Sequence, residues 1–398
     1  MLFHWQSIDF TNVANVRRFG YRLQWALDYR FCTLYDDNMK CVFLFRQNIL
    51  LLFLAAVLFT ASCQAPRTQL VEESPLLELA EETIIDEEEA LFFEIELPPP
   101  NAALPITYFR EVWAYLVAGR ESALDLRLPI SDIAYFGAEV NLYGTLTGVP
   151  NFQNVTRFPG RKHLVVSCNG RALSYFVLLE GRPEREALIR DLLVASRPYD
   201  GLQINFEEIP PRSADAYLSF LRELRSGLGD RMLSVAIAAR TRTLQNDVYD
   251  YRRVFPLVDR MLVMAYDEHW SRSEPGPIAS MGWGQRVARY SLDTIGQEKL
   301  IMGLPFYGRR WGNVTPNMAF IHSGIENIKR EQNITEIQRL QGVPNFVYET
   351  PVTMTVFYED EYSLSARLNM YKNMGINAVG FWRLGQETPA FWPQIALE

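Results

Sequence analysis

Gln203, Asn205 and Glu207 alternate with Leu202, Ile204 and Phe206 along DGLQINFEEIP, the segment from Asp200 to Pro210. Successive side chains point to opposite faces of a strand, so the polar residues share one face and the apolar ones the other. An ordinary core strand has no packing use for a polar row that ends in a carboxylate. A parallel barrel does, because its active sites form at the C-terminal ends of its strands. In that setting Glu207 is a candidate proton donor: a carboxyl whose pKa is raised by its surroundings can protonate a leaving oxygen. Asn205, on the same face, can hydrogen-bond a substrate amide but carries no charge. The bland alternative is a half-exposed strand with a solvated face. The apolar flanks and the helix-like ADAYLSFLRELRSGLG that follows argue against it.

The elements that would position these residues alternate in type. From Ile106 onward, EVWAYLV, DIAYFGA, HLVVSC, LQINFE, LSVAIAA, RMLVMAY, KLIMGLPF and AVGFW read as strands. Helical stretches fall at Glu184 to Ser196, Ala214 to Leu228, Gly284 to Ile295 and Ser363 to Met374. This pattern predicts an α/β fold, a (β/α)8 TIM barrel over residues 106–398, with a small insertion after strand 7 at about 309–355 that holds the strand-like NFVYET and VTMTVFY. A doubly wound open sheet is the alternative, but no glycine-rich phosphate loop follows the first strand.

Several motifs carry a family resemblance. DGLQINFE resembles the fourth-strand signature DGxDxDxE of glycoside hydrolase family 18; Asp200, Gly201 and Glu207 match, and Gln203 and Asn205 depart from it. MAYDEHW, from Met264 to Trp270, resembles the sixth-strand MxYD motif, and SEPGPIASMGW, GLPFYGRRW, VFYEDEYSL and GFWRLGQE follow in the family's order. The wording is similar to that of bacterial spore-germination and cortex-lytic N-acetylglucosaminidases, and the likeness runs from about Val112 to Trp392. It implies hydrolysis of a polysaccharide containing N-acetylglucosamine, peptidoglycan or chitin-like, with retention and with the substrate's own acetamide as nucleophile. By the same resemblance Glu207 is the general acid/base, and Asn205 and Tyr266 handle the acetamide. Asp200, Gln203, Met264, Asp267 and Tyr307 bind substrate, with Arg309 beside Tyr307, and Trp382 forms an aromatic floor under a sugar ring. An amide in place of aspartate at 205 supplies no negative charge to an oxazolinium. A related family of endo-N-acetylglucosaminidases is similar in placing asparagine before its catalytic glutamate. The alternative function is a catalytically silent carbohydrate-binding barrel.

Composition narrows the partners. The chain has 398 residues and a formal charge of −8, but Glu72 to Glu96 alone contains eleven acidic residues and no basic ones. The remainder is near neutral, so no nucleic-acid partner is expected. His163, His269 and His322 lack metal-ligand spacing, so neither a metal nor another cofactor is expected.

The N-terminal region reads as processing and tethering sequence. Ile49 to Phe59 is an unbroken apolar run, preceded by Lys40 and Arg46 and followed by Thr60, Ala61, Ser62 and Cys63. That order is a secretory signal spanning 39–63, too short for a spanning helix, and its end resembles a lipobox that would lipidate Cys63. A plain secretory signal or uncleaved anchor is the alternative. Met39 opens a signal of ordinary length, so residues 1–38 read as an over-extended reading frame. After processing only Cys63 and Cys168 would remain, which leaves no disulfide framework. Residues 64–105 read as an acidic, proline-containing tether. The expectation is a monomer, lipid-anchored to a membrane in a bacterial cell envelope.

Overall fold

The computed structural model describes residues 97–100, 102–313, 317–350 and 352–398. The proposed reading-frame extension, signal, Cys63 and most of the tether lie outside the described residues.

The eight apolar runs become parallel strands β1 (Glu111–Val117), β2 (Asp132–Val140), β3 (Arg161–Cys168), β4 (Gly201–Phe206), β5 (Met232–Ala238), β6 (Arg260–Met264), β7 (Leu300–Pro305) and β8 (Ala378–Trp382). Each pairs with the next in sequence, and β8 pairs with β1, so the sheet closes into a barrel. This is the (β/α)8 fold expected from the alternation of elements. Closure removes every sheet edge, leaving an inside and an outside to each strand.

Two apolar layers follow from that division. Leu202, Ile204 and Phe206 of β4 point outward into the shell between barrel and helices. There Phe206 stacks on Phe220 at 5.5 Å. Phe220 belongs to the helix Ala214–Leu228, whose buried residues Tyr217, Leu218, Phe220, Leu221, Leu224 and Leu228 recur at helical spacing. The helix ends at Gly229, whose φ of 61° is easy only for glycine. The inner layer contains Trp113, Tyr115, Ala134, Val165, Leu262, Ile301 and Ala378.

The N-terminal end of the barrel is closed by ion pairs. The buried Asp132 accepts from Arg161 Nε at 2.6 Å, from Ser131 Oγ at 2.6 Å and from His163 Nε2 at 2.8 Å. Glu111 accepts from Arg260 Nη2 at 2.6 Å and Trp113 Nε1 at 2.9 Å. Trp113 stacks on His163 at 4.2 Å. Burial alone would raise the Asp132 carboxyl, but the bonds from His163 and Arg161 outweigh it and hold the pKa low.

After β7 the chain makes an antiparallel sheet from Tyr307–Gly312, Met318–Ile321, Gln338–Leu340, Val343–Thr350 and Val352–Phe357, with the helix His322–Glu331. This is the insertion, and it begins two residues earlier than expected because Tyr307 is already paired to Ile321. At the other end, Leu97 and Leu104 pack against the outer core, and the Tyr362 hydroxyl donates to the Pro98 carbonyl. The last residues assigned to the tether thus cover apolar surface of the domain.

Candidate active site

At the C-terminal end of the barrel a cleft of about 620 Å³ opens, within the ~300–1,000 Å³ common for ligand sites. Its walls include Asn205, Glu207, Met264, Tyr266, Asp267, Tyr307 and Trp382. Ala236 and Ala238 at the end of β5, with Ala239 after it, help leave the space open.

Glu207 follows β4 directly, and its backbone is pinned on both sides. Its N–H donates to Cys168 O at 3.1 Å, and its own carbonyl accepts from Ser174 Oγ at 3.3 Å. The Tyr249 hydroxyl donates to Phe206 O at 2.9 Å and accepts from Ile209 N at 3.1 Å. The carboxyl is open to solvent through the cleft mouth while protein crowds its other sides. That burial raises its pKa; the hydrogen bond from Asn205 opposes the rise, and the charges of Asp267 and Glu208 reinforce it.

Asn205 is buried and donates from Nδ2 to Glu207 Oε1 at 3.3 Å. Its Oδ1 has no hydrogen-bond partner among the described residues. A buried acceptor left unpaired costs free energy, so this atom is ready for a donor from a ligand. Behind it, Gln203 accepts from the Tyr115 hydroxyl at 2.5 Å and donates to Ser234 Oγ at 3.2 Å.

Asp267 stands opposite, just after β6. Oδ1 accepts from the Tyr307 hydroxyl at 2.6 Å and Arg309 Nη2 at 2.9 Å, so both bonds fall on one oxygen. Burial holds the phenols of Tyr266 and Tyr307 well above the usual tyrosine value, so both stay neutral donors. Trp382 ends β8, with Tyr115 at 5.1 Å and Phe136 at 5.2 Å, both steeply inclined to it. Glu208 and Asp267 have φ of 57° and 59°, left-handed values that cost non-glycine residues free energy and cluster at functional sites.

Two sequence assignments are corrected. Asp200 precedes β4 at the opposite end of the barrel, about 23 Å from Glu207 at 3.3 Å per residue; its carboxylate accepts from Lys162 N at 2.8 Å, so it caps the strand pairing and does not reach the cleft. Gln203 is fully buried beneath the cleft and both ends of its amide are occupied, so it supports Tyr115 and does not touch substrate. Gly201 of the same motif serves clearance: a Cβ there would stand 2.5 Å from His163 Nδ1.

Sequence reading missed Tyr115, Phe136, Ser167, Asn169, Trp270 and Trp283, which also line the cleft. Strand alternation could have found Tyr115, since Trp113 and Tyr115 share the inner face of β1. Phe136 was harder, because a bulge between Phe136 and Ala138 shifts the register of β2.

A closed (β/α)8 barrel whose carboxyl and aromatic groups converge at the strand C-termini has the architecture of a carbohydrate-active barrel. The chain belongs to the glycosyl hydrolases family 18, whose family model matches residues 151–387. It is similar to the cortical fragment-lytic enzyme of Bacillus anthracis, 25% identical over 284 residues that cover 65% of this chain and 66% of the relative. It is also similar to the uncharacterized glycosylase YvbX of Bacillus subtilis, 28% identical over 214 residues that cover 51% and 62%. The chain spans about half to two thirds of the length of the Bacillus relatives it matches. Among solved structures, the Bacillus cereus spore cortex-lytic enzyme SleL has the same fold, with a TM-score of 0.66 at 22% identity over 73% of this chain and 76% of that one.

Proposed function

We propose that the chain hydrolyses a β-linked glycan containing N-acetylglucosamine, with retention and with the substrate's acetamide as nucleophile. The observation that carries this reading is the pairing of a protonatable Glu207 with a buried Asn205 whose Oδ1 lacks a partner. In the first step Glu207 protonates the glycosidic oxygen while the acetamide oxygen attacks C1, and the leaving sugar departs. Asn205 Oδ1 accepts the acetamide N–H and so aligns that oxygen; Tyr266, neutral, donates a hydrogen bond from across the cleft. In the second step the Glu207 carboxylate takes a proton from water, which opens the oxazolinium at C1 and returns Glu207 to its acid form. Asp267 suits a positioning role better than attack, since Tyr307 and Arg309 occupy one of its oxygens. Trp382 offers an aromatic face to the apolar C–H face of a sugar ring.

A second reading draws on the two amides. Gln203 and Asn205 bring no negative charge near the developing cation, which favours a sugar-binding barrel without turnover. Oligomers of N-acetylglucosamine and their de-N-acetylated counterparts distinguish the readings. The hydrolase cleaves the first and spares the second, because only the first carries its nucleophile. Binding of the first without cleavage would mark the silent barrel, and cleavage of both would rule out acetamide attack.

For location, we propose that Cys63 carries a lipid anchor. Cys63→Ser should then release the protein from membranes in fractionation; equal membrane content in both would contradict the anchor.

A further inference from the structure

The chain between Asp267 and the helix Met281–Ile295 forms a loop whose two ends meet. Glu268 N–H donates to Ile278 O at 2.9 Å, and the Glu268 carboxylate spans the same gap: Oε2 accepts from Ser280 N at 2.6 Å and Oε1 from Ser280 Oγ at 3.0 Å. Further out, His269 Nδ1 stands 2.9 Å from Pro277 O. Cleft residues flank this neck. Asp267 precedes it and Trp283 follows it, in the first turn of the helix. Trp270 lies within the loop, its carbonyl accepting from Trp311 Nε1 at 3.1 Å.

The far side of the neck is anchored in the domain. Ile278, Ala279 and Ser280 are buried, and Ala279 O accepts from Nη2 of Arg367, a buried guanidinium paired with Glu359 at 3.2 Å. Ser280 Oγ also accepts from Trp283 N at 3.4 Å, which caps the helix. Ser280 thus presents two donors to Glu268, and a carboxylate has an acceptor oxygen for each, whereas glutamine has one. Negative charge is also favoured at a helix N-terminus.

Asp267 is the residue on which this clamp bears. Its φ of 59° is a left-handed value that persists only where the surroundings impose it. Tyr307 and Arg309 hold one oxygen of its side chain, while the backbone is gripped one residue later, through Glu268. The charges that act on the Glu207 carboxyl are those of Asp267 and Glu208, among the neutral phenols of Tyr115, Tyr249 and Tyr266. Glu268 therefore acts at one remove.

We propose that Glu268 is a positioning residue: by clamping Ser280 it holds Asp267 in its left-handed conformation, facing Glu207. The inference rests on the hydrolase reading above and deepens it, naming the residue that governs which charge the acid faces.

The test reads Glu207 directly, by carbon-13 NMR titration of the full chain labelled at its glutamate carboxyls, with the resonance assigned by its loss in Glu207→Gln. In Glu268→Ala the Glu207 midpoint should fall by roughly half a pH unit, because a like charge that raises it is released. Asp267→Asn should lower it at least as far, and adding Glu268→Ala to Asp267→Asn should lower it no further. A general loosening of the fold would instead move the midpoint in both backgrounds. Glu268→Gln keeps one acceptor and should fall between parent and Glu268→Ala; it carries the same comparison if circular dichroism shows Glu268→Ala unfolded. The alkaline limb of the pH–kcat profile on N-acetylglucosamine oligomers should move down with the midpoint. An unchanged midpoint in the Glu268 variants overturns the inference, as does an equal fall when residue 267 is already asparagine. Midpoints that move as stated in a chain that releases no product would support the clamp and remove the hydrolase reading alone.

Discussion

The two ends of the barrel use polar groups in opposite ways. At the N-terminal end Asp132, Glu111, Arg161, Arg260 and Ser131 satisfy one another within a few residues of the strand starts. At the C-terminal end Asn205 Oδ1 is unpaired, Glu207 is held with a raised pKa, and Glu208 and Asp267 adopt left-handed backbone. The first end is paired except for His163 Nδ1, which has no partner among the described residues; the second leaves Asn205 Oδ1 unpaired at a cleft. The strand that links them, β4, reports both: Asp200 and Gly201 serve the closed end, and Asn205 and Glu207 serve the open one.

Substitutions at the two ends should separate stability from activity. The largest effect is expected from Asp132→Ala, which strands the buried His163 and removes the partner of Arg161. Urea denaturation should show a loss of about 3–5 kcal/mol, the cost of breaking a buried pair. Because the Asp132 pKa is lowered on folding, its contribution is full above the unfolded value of about 3.9 and is lost as the pH falls through the lower folded value. A loss below 1 kcal/mol would mean that the closed end is not what stabilises the barrel.

At the open end Glu207→Gln should lower turnover by ~10²-fold or more, read as kcat on N-acetylglucosamine oligomers. Its melting temperature at neutral pH should not fall. A carboxyl whose pKa is raised on folding costs stability above that pKa, and the neutral amide removes the cost. A marked drop in melting temperature would blur the division between the ends.

Gln203→Ala lies between the two. It leaves the Tyr115 hydroxyl and Ser234 without their amide, at a cost of about 1–3 kcal/mol in chemical denaturation. No change would show that the buried amide supports nothing.

The smallest effect, and the most specific, concerns Asn205→Asp. The new charge disfavours ionisation of Glu207, and the hydrogen bond from Nδ2 that lowers its pKa is gone. Both changes act upward, so the alkaline limb of the pH–kcat profile should move to higher pH, with turnover kept or increased. A limb that moves down or stays fixed would separate Glu207 from that limb.

Much of this division was legible in the sequence. Alternation in LQINFE gives a polar inner face and an apolar outer one, and β4 has both. The eight apolar runs, with helical stretches between several of them, were enough for the barrel. Less legible was which end of the motif does what, since Asp200 and Glu207 are both carboxylates and only strand direction separates them. Contacts across the barrel were not readable either: Tyr115 meets Gln203 from 88 positions away, and Trp311 secures Trp270 from 41. No local pattern encodes such pairs.

The central claim is that Glu207 and the substrate's own acetamide together break the bond. It is tested most directly by proton NMR of the first sugar product released from an N-acetylglucosamine oligomer by the parent chain. The account predicts that the β-anomer appears first and mutarotates to the equilibrium mixture, because attack by the acetamide followed by water inverts C1 twice. Release of the α-anomer first would contradict it, as would the absence of any product.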